Sequence, residues 1–209
     1  MFGVENFYVF VITALLFIMT PGIDSVFVLN KSVSQGKKAG IYSTLGINGG
    51  VIVHTFFAAL GLSMLVAKSA MAFMIVKYLG AAYLIYLGIS SIISKKQPNF
   101  DAIEVKEQSN KKHFFSGLIT NTLNPKVALF FLSFFPQFIQ KEQIENPLPF
   151  IILGVTYALI GILWFSVMSF FAATFSDKVK GNEKFHNRLN KFSGAIYILM
   201  GIKIALTKK

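Results

Sequence analysis

The chain has 209 residues, of which 54% are hydrophobic and only 14% are charged, and its mean hydropathy of +0.61 excludes an ordinary soluble domain. The formal charge of +11 does not indicate nucleic-acid binding, because most lysines lie in short connections between apolar blocks. The absence of cysteine excludes disulfides, thiolate metal sites and cysteine nucleophiles. This composition predicts a polytopic protein of the lipid bilayer.

Six apolar blocks divide the chain, and all but the last exceed the roughly 20 residues that a spanning helix needs. Their length and the lack of strict alternation favour helices over strands. The segment before the first block carries Glu5 and no Lys or Arg, unlike a cleavable signal peptide, so we expect the first block to remain in the membrane. The blocks cover residues 7–29, 41–67, 71–93, 114–139, 148–175 and 192–206.

The connections between the blocks differ in charge. Most lysines lie in three of them, at residues 30–40, 94–113 and 176–191, and the positive-inside rule predicts that these three are cytoplasmic. With six spans, both termini would be extracytoplasmic. We therefore expect a multi-pass membrane protein.

The longest connection, residues 95–113, divides the chain into a first repeat at about 1–94 and a second at about 114–209. Because each repeat holds three spans, the second enters the membrane in the opposite direction, as in inverted-repeat transporters. The predicted fold is a single all-α transmembrane transporter domain over residues 1–209. Its six transmembrane helices would form two inverted three-helix repeats with broken first and fourth helices.

Proline interrupts the first and fourth blocks at matching places, in Thr20-Pro21-Gly22 and in Asn124-Pro125-Lys126. A proline inside a helix removes a donor and clashes with the preceding turn, so the helix must kink or restart. As restarts, Thr20 and Asn124 are predicted N-caps, each followed by a proline in the first helical position. Each restart would present free amides and a positive dipole end that suit a carboxylate. The alternative is a pair of packing kinks.

Asp24 is the only acidic residue inside any apolar block. A charge at the bilayer centre costs roughly 2.5–3.5 kcal/mol on insertion scales, so it usually faces a cavity or a partner. In the protonated form Asp24 could carry a coupling proton, and in the ionised form it could hold the ammonium group of a substrate. The alternative is that Asp24 lies near a wetted helix end, since Asn30 and Lys31 follow within two turns.

Other polar residues within the blocks complete the predicted site. Lys126 is a candidate for binding a carboxylate or pairing with Asp24, and His54 could relay protons or be a hydrogen-bonded packing residue. No His, Asp and Glu cluster has metal-ligand spacing, so we expect no metal site and no cofactor. The predicted substrate-binding residues are Thr20, Pro21, Gly22, Asp24, Asn48, Asn121, Asn124, Pro125 and Lys126, and the predicted proton-coupling residues are Asp24 and His54.

Small and aromatic residues are expected to be structural. Glycines recur at close spacing, which lets helices approach one another in lipid, either within one chain or across a homodimer. The 23 phenylalanines are expected to face lipid.

Several motifs together resemble the LysE/RhtB-type amino acid exporters over nearly the whole chain. They comprise Thr20-Pro21-Gly22-Ile23-Asp24, Ser34-Gln35-Gly36 with Gly40 and Gly46, Lys77 to Leu84 (KYLGAAYL), Tyr86-Leu87-Gly88, and Asn121 to Phe138 (NTLNPKVALFFLSFFPQF). Two positions depart from the pattern of that family. Ile23 stands where a second proline usually follows the glycine, and Val51 stands where an acid often follows the paired glycines.

The resemblance implies a plasma-membrane exporter of amino acids or close derivatives, driven by the proton motive force. Its partners would be the amino acid substrate and protons. A cation or metal exporter on a related scaffold is one alternative, but it would need more acidic or histidine ligands. An integral membrane enzyme is the other, but no serine has the strand-to-helix elbow or nearby base of a nucleophile, so we expect no enzymatic activity.

Overall fold

The computed structural model describes residues 2–62, 70–93, 109–174 and 183–206. Within these ranges the regular structure is helical, apart from one isolated antiparallel bridge between Val4 and Ile139. The α-helices are α1 (Phe7–Met19), α2 (Ile23–Phe57), α3 (Ala70–Ile93), α4 (Asn110–Thr122), α5 (Pro125–Phe134), α6 (Pro147–Thr174) and α7 (Glu183–Leu206). Short helical turns at Ala58–Leu62, Phe135–Phe138 and Lys141–Gln143 extend or join them.

The prediction of an all-α membrane protein is confirmed in its coarser form. Two stretches are long and apolar enough to cross a bilayer, Ile23–Leu60 and Pro147–Ala172. The pair α4 and α5 can serve as a third span that is bent by 53° at its break. Residues 94–108 of the predicted connection at 94–113 and residues 176–182 of that at 176–191 lie outside the described residues. Residues 183–191 belong to α7, so the expected start of the sixth span at 192 was wrong.

The predicted connection at residues 30–40 is itself helical, which corrects the expected bounds of the first two spans. Only Gly36 leaves the helical conformation, at φ 83° and ψ 175°, a region that glycine adopts without strain. A methyl group added at Gly40 would overlap the hydroxyl of Ser32, although in a straight helix the two would lie about 12 Å apart. Helix α2 is therefore a hairpin, with a first arm at 23–35 and a second arm at 37–57.

The second arm of α2 packs closely against two other helices. Along α6, Gly154, Gly161 and Ser169 meet Thr55, Asn48 and Gly40 in turn, which is an antiparallel register. On α4, Gly117 meets the backbone of Ser43, while Gly46 and Gly50 of the arm meet Phe114 and Asn121 in a parallel register. The expectation of glycine-mediated packing within one chain is therefore confirmed for these positions, because small residues let the backbones approach.

Helices α3 and α7 form a second close pair. An added methyl group at Gly88 would meet the Gly194 carbonyl at 2.6 Å, and one at Gly194 would meet the Gly88 carbonyl at 2.5 Å. Gly201 meets Ala81 in the same antiparallel register.

A buried aromatic cluster corrects the expectation that the phenylalanines face lipid. Rings from α1 and from α5 with its following turn stack on one another, with Phe17 and Phe130 centroids 4.2 Å apart and Phe131 and Phe135 centroids 4.0 Å apart. Other phenylalanines, including Phe56 and Phe171, are exposed as expected. The expectation was wrong for these rings because sequence spacing alone does not show which face of a helix meets another helix. The cluster comprises Phe10, Phe17, Phe130, Phe131, Phe134, Phe135 and Phe138, all buried.

Candidate functional site

The first helix break separates α1 from α2 over three residues. Thr20 ends α1, and both its backbone N–H and its hydroxyl donate to the Leu16 carbonyl, at 3.1 Å and 2.6 Å. Gly22, in an extended conformation, precedes α2 and supplies no side-chain cap. The prediction that Thr20 is an N-cap with Pro21 in the first helical position is therefore wrong. The hydroxyl bonds backward because Pro21 and Gly22 separate Thr20 from Ile23, the first residue of α2.

The second break has the predicted geometry. Asn124 is the N-cap of α5, and its Oδ1 accepts a hydrogen bond from the Lys126 backbone N–H at 3.0 Å. Pro125 occupies the first helical position, where its missing donor costs nothing. The two breaks are thus alike in sequence but different in how the following helix begins.

Residues from both breaks line one pocket. The predicted site residues on its wall are Gly22, Asp24, Asn48, Asn121, Asn124 and Lys126. Thr20, Pro21 and Pro125 do not line it and contribute backbone geometry instead. The free space between the lining atoms admits roughly one water molecule.

Asp24 lies in the first turn of α2 and is buried, with 9% of its surface exposed, so it does not lie at a wetted helix end. Its Oδ2 accepts a hydrogen bond from Asn121 Nδ2 at 2.8 Å. Its Oδ1 and Asn124 Nδ2 form no hydrogen bond of good geometry among the described residues, although the Asn124 side chain lies close enough to interact with the Asp24 carboxylate. A buried polar atom without a partner is costly, so both atoms are suited to bind a further group.

Lys126 reaches across to the end of α1. Its Nζ donates to the carbonyls of Phe17 and Thr20, at 3.2 Å and 3.0 Å, and lies 4.5 Å from the centroid of the Phe17 ring. These carbonyls belong to the last turn of α1, which carries the negative end of the helix dipole. A methyl group at Gly22 would come within 3.2 Å of Nζ, so the glycine leaves room for the ammonium group.

His54 lies beside the pocket rather than on its wall. Its Nε2 is 3.1 Å from the backbone carbonyl oxygen of Asn121, and its ring packs against Phe131. Asn121 therefore joins two predicted proton-coupling residues, contacting His54 with its backbone and Asp24 with its side chain. Among the described residues, no three His, Asp or Glu side chains are grouped as a metal site requires.

Asn48 projects from the second arm of α2. Its Nδ2 donates to the Thr44 carbonyl at 2.8 Å, which turns Oδ1 toward Gly161 of α6. Asn121 Oδ1 likewise faces Gly50, where an added methyl group would lie at 2.6 Å. The glycines of these helices make room for the two amides, a role that sequence analysis did not assign to them.

Sequence analysis missed the apolar wall of the pocket. Tyr157 and Phe165 lie one turn on either side of Gly161 on α6. This helical spacing in the fifth apolar block is the sequence signal from which the wall could have been predicted. The remaining lining residues are Ile18, Ser25, Ile47, Val51 and Val127. Val51, one of the two departures noted above, is thus part of the wall, whereas Ile23, the other, is 56% exposed and turned away.

A helical bundle with membrane-length apolar segments and a buried charged pocket between two broken helices is an arrangement typical of membrane transport proteins. The LysE type translocator family matches residues 15–208, and the chain belongs to that family.

Curated relatives extend over nearly the whole chain. An uncharacterized membrane protein of Bacillus subtilis, YrhP, is 35% identical over 202 residues, covering 93% of this chain and 95% of the relative. A leucine efflux protein of Enterobacter sp. is 31% identical over 208 residues, covering 98% and 97%. An uncharacterized membrane protein of Pseudomonas aeruginosa, PA4757, is 30% identical over 207 residues, covering 97% and 96%. No solved structure matches the chain.

Proposed function

We propose that this protein exports a zwitterionic amino acid across the plasma membrane, driven by the proton motive force. The observation that carries the proposal is the buried pocket, in which one carboxylate and one ammonium group from two helix breaks lie together with the buried amides of Asn121 and Asn124. Membership of a translocator family and the similarity to a leucine efflux protein support the same class of function.

In this proposal the two charged ends of the substrate bind to opposite sides of the pocket. The substrate carboxylate meets Lys126, Asn124 Nδ2 and the free amides at the start of α5. The substrate ammonium group meets Asp24, whose Oδ1 is available as an acceptor. The pocket holds one acidic and one basic side chain, so the ammonium and carboxylate groups of a zwitterion would neutralise the charges of Asp24 and Lys126.

The apolar wall favours a neutral substrate side chain. Aliphatic and aromatic groups from four helical segments line the pocket beside the charged residues, and no third charged side chain is present there to neutralise a charged substrate side chain. We therefore propose an aliphatic amino acid, in keeping with the leucine efflux relative.

Proton coupling is assigned to Asp24, with His54 acting through Asn121. Asp24 changes its charge on protonation and lies where the substrate ammonium group would bind. A proton and a substrate would therefore compete for the same carboxylate, which is a direct means of coupling their movements.

The proposed topology is one transmembrane domain of six spans in two inverted repeats, with both termini extracytoplasmic. The hairpin at Gly36 supports it, because the two arms of α2 cross in opposite directions. The corresponding breaks after Met19 and Thr122 support the repeat. A homodimer remains a prediction.

The test is efflux of labelled amino acids from vesicles containing the purified protein, with and without an imposed proton gradient. The proposal expects saturable, gradient-dependent efflux of neutral aliphatic amino acids. Asp24→Asn should abolish gradient-driven efflux while the protein remains folded in the membrane. Glu142→Gln, which neutralises an exposed acid outside the pocket, is the matched control.

Two outcomes would contradict the proposal. Normal gradient-driven efflux by Asp24→Asn would exclude Asp24 from coupling. Folded wild-type protein that moves no amino acid would reject amino acid export and direct attention to inorganic cations.

A further inference from the structure

The first arm of α2, residues 23–35, differs from its neighbours in how it is held. A non-helical glycine stands at each end, the extended Gly22 before it and Gly36 after it. Gly36 has φ 83°, and a methyl group added there would meet nothing within 4 Å. The arm is thus a short rigid rod between two joints, with open space at the outer joint.

The second arm lacks this freedom. Its glycines lie against the backbone of α4, and Thr55 and Asn48 lie against glycines of α6. Interfaces of this kind separate only when close backbone contacts are lost along several turns. The second arm, α4 and α6 therefore form a fixed frame beside the first arm.

Side-chain hydrogen bonds tie the first arm to this frame near each of its ends. Asp24 accepts from Asn121 of α4 at 2.8 Å, and the Ser32 and Ser169 hydroxyl oxygens lie 2.6 Å apart. The single Ser32 hydroxyl proton points to the Val28 carbonyl at 2.7 Å, so Ser169 is the donor to Ser32. Both serines are buried, and they meet above Gly40 of the second arm.

The serine pair lies beyond the pocket on its Gly36 side. Phe165 lines the pocket and Ser169 follows it by one helical turn on α6. On the opposite side of the pocket lies the aromatic cluster, where Phe17 packs against Phe130, and Phe130 and Phe131 pack against Tyr157. One hydrogen bond between two hydroxyl groups is broken more readily than a packed cluster of several aromatic rings, so we expect the pocket to open on the side of the serine pair.

We propose that the first arm of α2 is the moving gate of this transporter, turning about Gly22 and Gly36, and that the Ser32–Ser169 hydrogen bond latches it closed. The inference rests on the proposed transport function. Opening the latch exposes the pocket to the side of the membrane where Gly36 and the basic residues Lys37 and Lys38 lie. Asp24 lies on the same arm, at its Gly22 end. Loss of the negative charge of Asp24 weakens its hydrogen bond to Asn121 and so releases that end of the arm from α4.

The first experiment locks the latch. The natural chain contains no cysteine, so Ser32→Cys with Ser169→Cys introduces the only pair, at positions where the side-chain oxygens are within 2.6 Å. Oxidation with copper–phenanthroline should abolish amino acid efflux from vesicles, and reduction should restore it. Each single cysteine variant under the same oxidant is the control. If the oxidised, cross-linked protein and the reduced protein show equal efflux, the proposal that the first arm is a gate is wrong.

The second experiment needs no transport. In detergent, Ser32→Cys should react with a water-soluble maleimide, because the arm opens transiently. Ser43→Cys, on the second arm and equally buried, should remain unreactive until the protein is unfolded. Equal protection of the two cysteines would overturn the gate. If the wild-type protein moves no amino acid but Ser32→Cys is labelled selectively, amino acid export is rejected, whereas the proposal that the first arm moves is supported.

Discussion

The two helix breaks of the pocket are alike in sequence but different in construction. At the second break, Asn124 caps α5 and Pro125 fixes its first residue, so the helix start is held by a side chain and a ring. At the first break, Gly22 provides no side-chain cap and α2 begins with Asp24 in its first turn. The capped break is suited to holding a substrate carboxylate in one place, while the uncapped break leaves an acidic arm that can move.

Lys126 joins the two breaks, and its removal should have the largest effect of the three changes considered next. Lys126→Ala removes the proposed carboxylate partner and the donor to the carbonyls of Phe17 and Thr20. We expect loss of detectable substrate binding together with a lower unfolding temperature. Binding is measured by isothermal titration with the transported amino acid, with the exposed Lys141→Ala as control. Unchanged affinity would remove Lys126 from the site.

Substitutions of Asn124 separate capping from binding at the second break. Asn124→Ala should destabilise the protein by about 1 kcal/mol through loss of the cap and should also weaken binding. Asn124→Ser retains a capping oxygen but lacks the amide donor, so it should keep the stability and still bind substrate more weakly. Thermal unfolding and titration of both variants would check this. Equal binding by the serine variant and the natural protein would limit Asn124 to a structural role.

Thr20→Val should have the smallest effect. The valine keeps the shape of the side chain and loses only the hydroxyl bond to Leu16, while the Thr20 carbonyl still accepts from Lys126. We expect a smaller loss of unfolding temperature than for Asn124→Ala, with efflux unchanged. A loss as large as that of Asn124→Ala would mean that Thr20 caps α2 after all, and that the two breaks are alike.

The break positions and five of the polar residues that line the pocket could be predicted from the sequence because their signals are local. Proline cannot continue a helix, and a buried charge must find a partner, so Pro21, Pro125, Asp24 and Lys126 stand out without a structure. The cap at Asn124 was predicted by the same local rules. The conformation at Thr20 was not predictable in this way, because the same hydroxyl can bond forward or backward, and here α2 begins only at Ile23, after the extended Gly22.

The apolar side of the pocket could not be predicted. Tyr157, Phe165 and Val51 have the composition of any membrane helix, and only the register between α6 and the second arm of α2 brings them beside Asp24. The aromatic cluster was misassigned for the same reason, since a phenylalanine facing lipid and one facing a neighbouring helix are equivalent in sequence.

The sequence by itself determined that this is a helical membrane protein of the LysE type translocator family, with two helix breaks and a few ionisable groups between them. These features could be predicted because block length, hydropathy, proline positions and isolated charges can each be read from a short segment of the sequence. Only the tertiary structure decided that Gly36 folds α2 into a hairpin, that Lys126 reaches the end of α1, and that Ser32 meets Ser169. Those contacts depend on helix rotation and register, which are fixed by packing many residues distant in the chain.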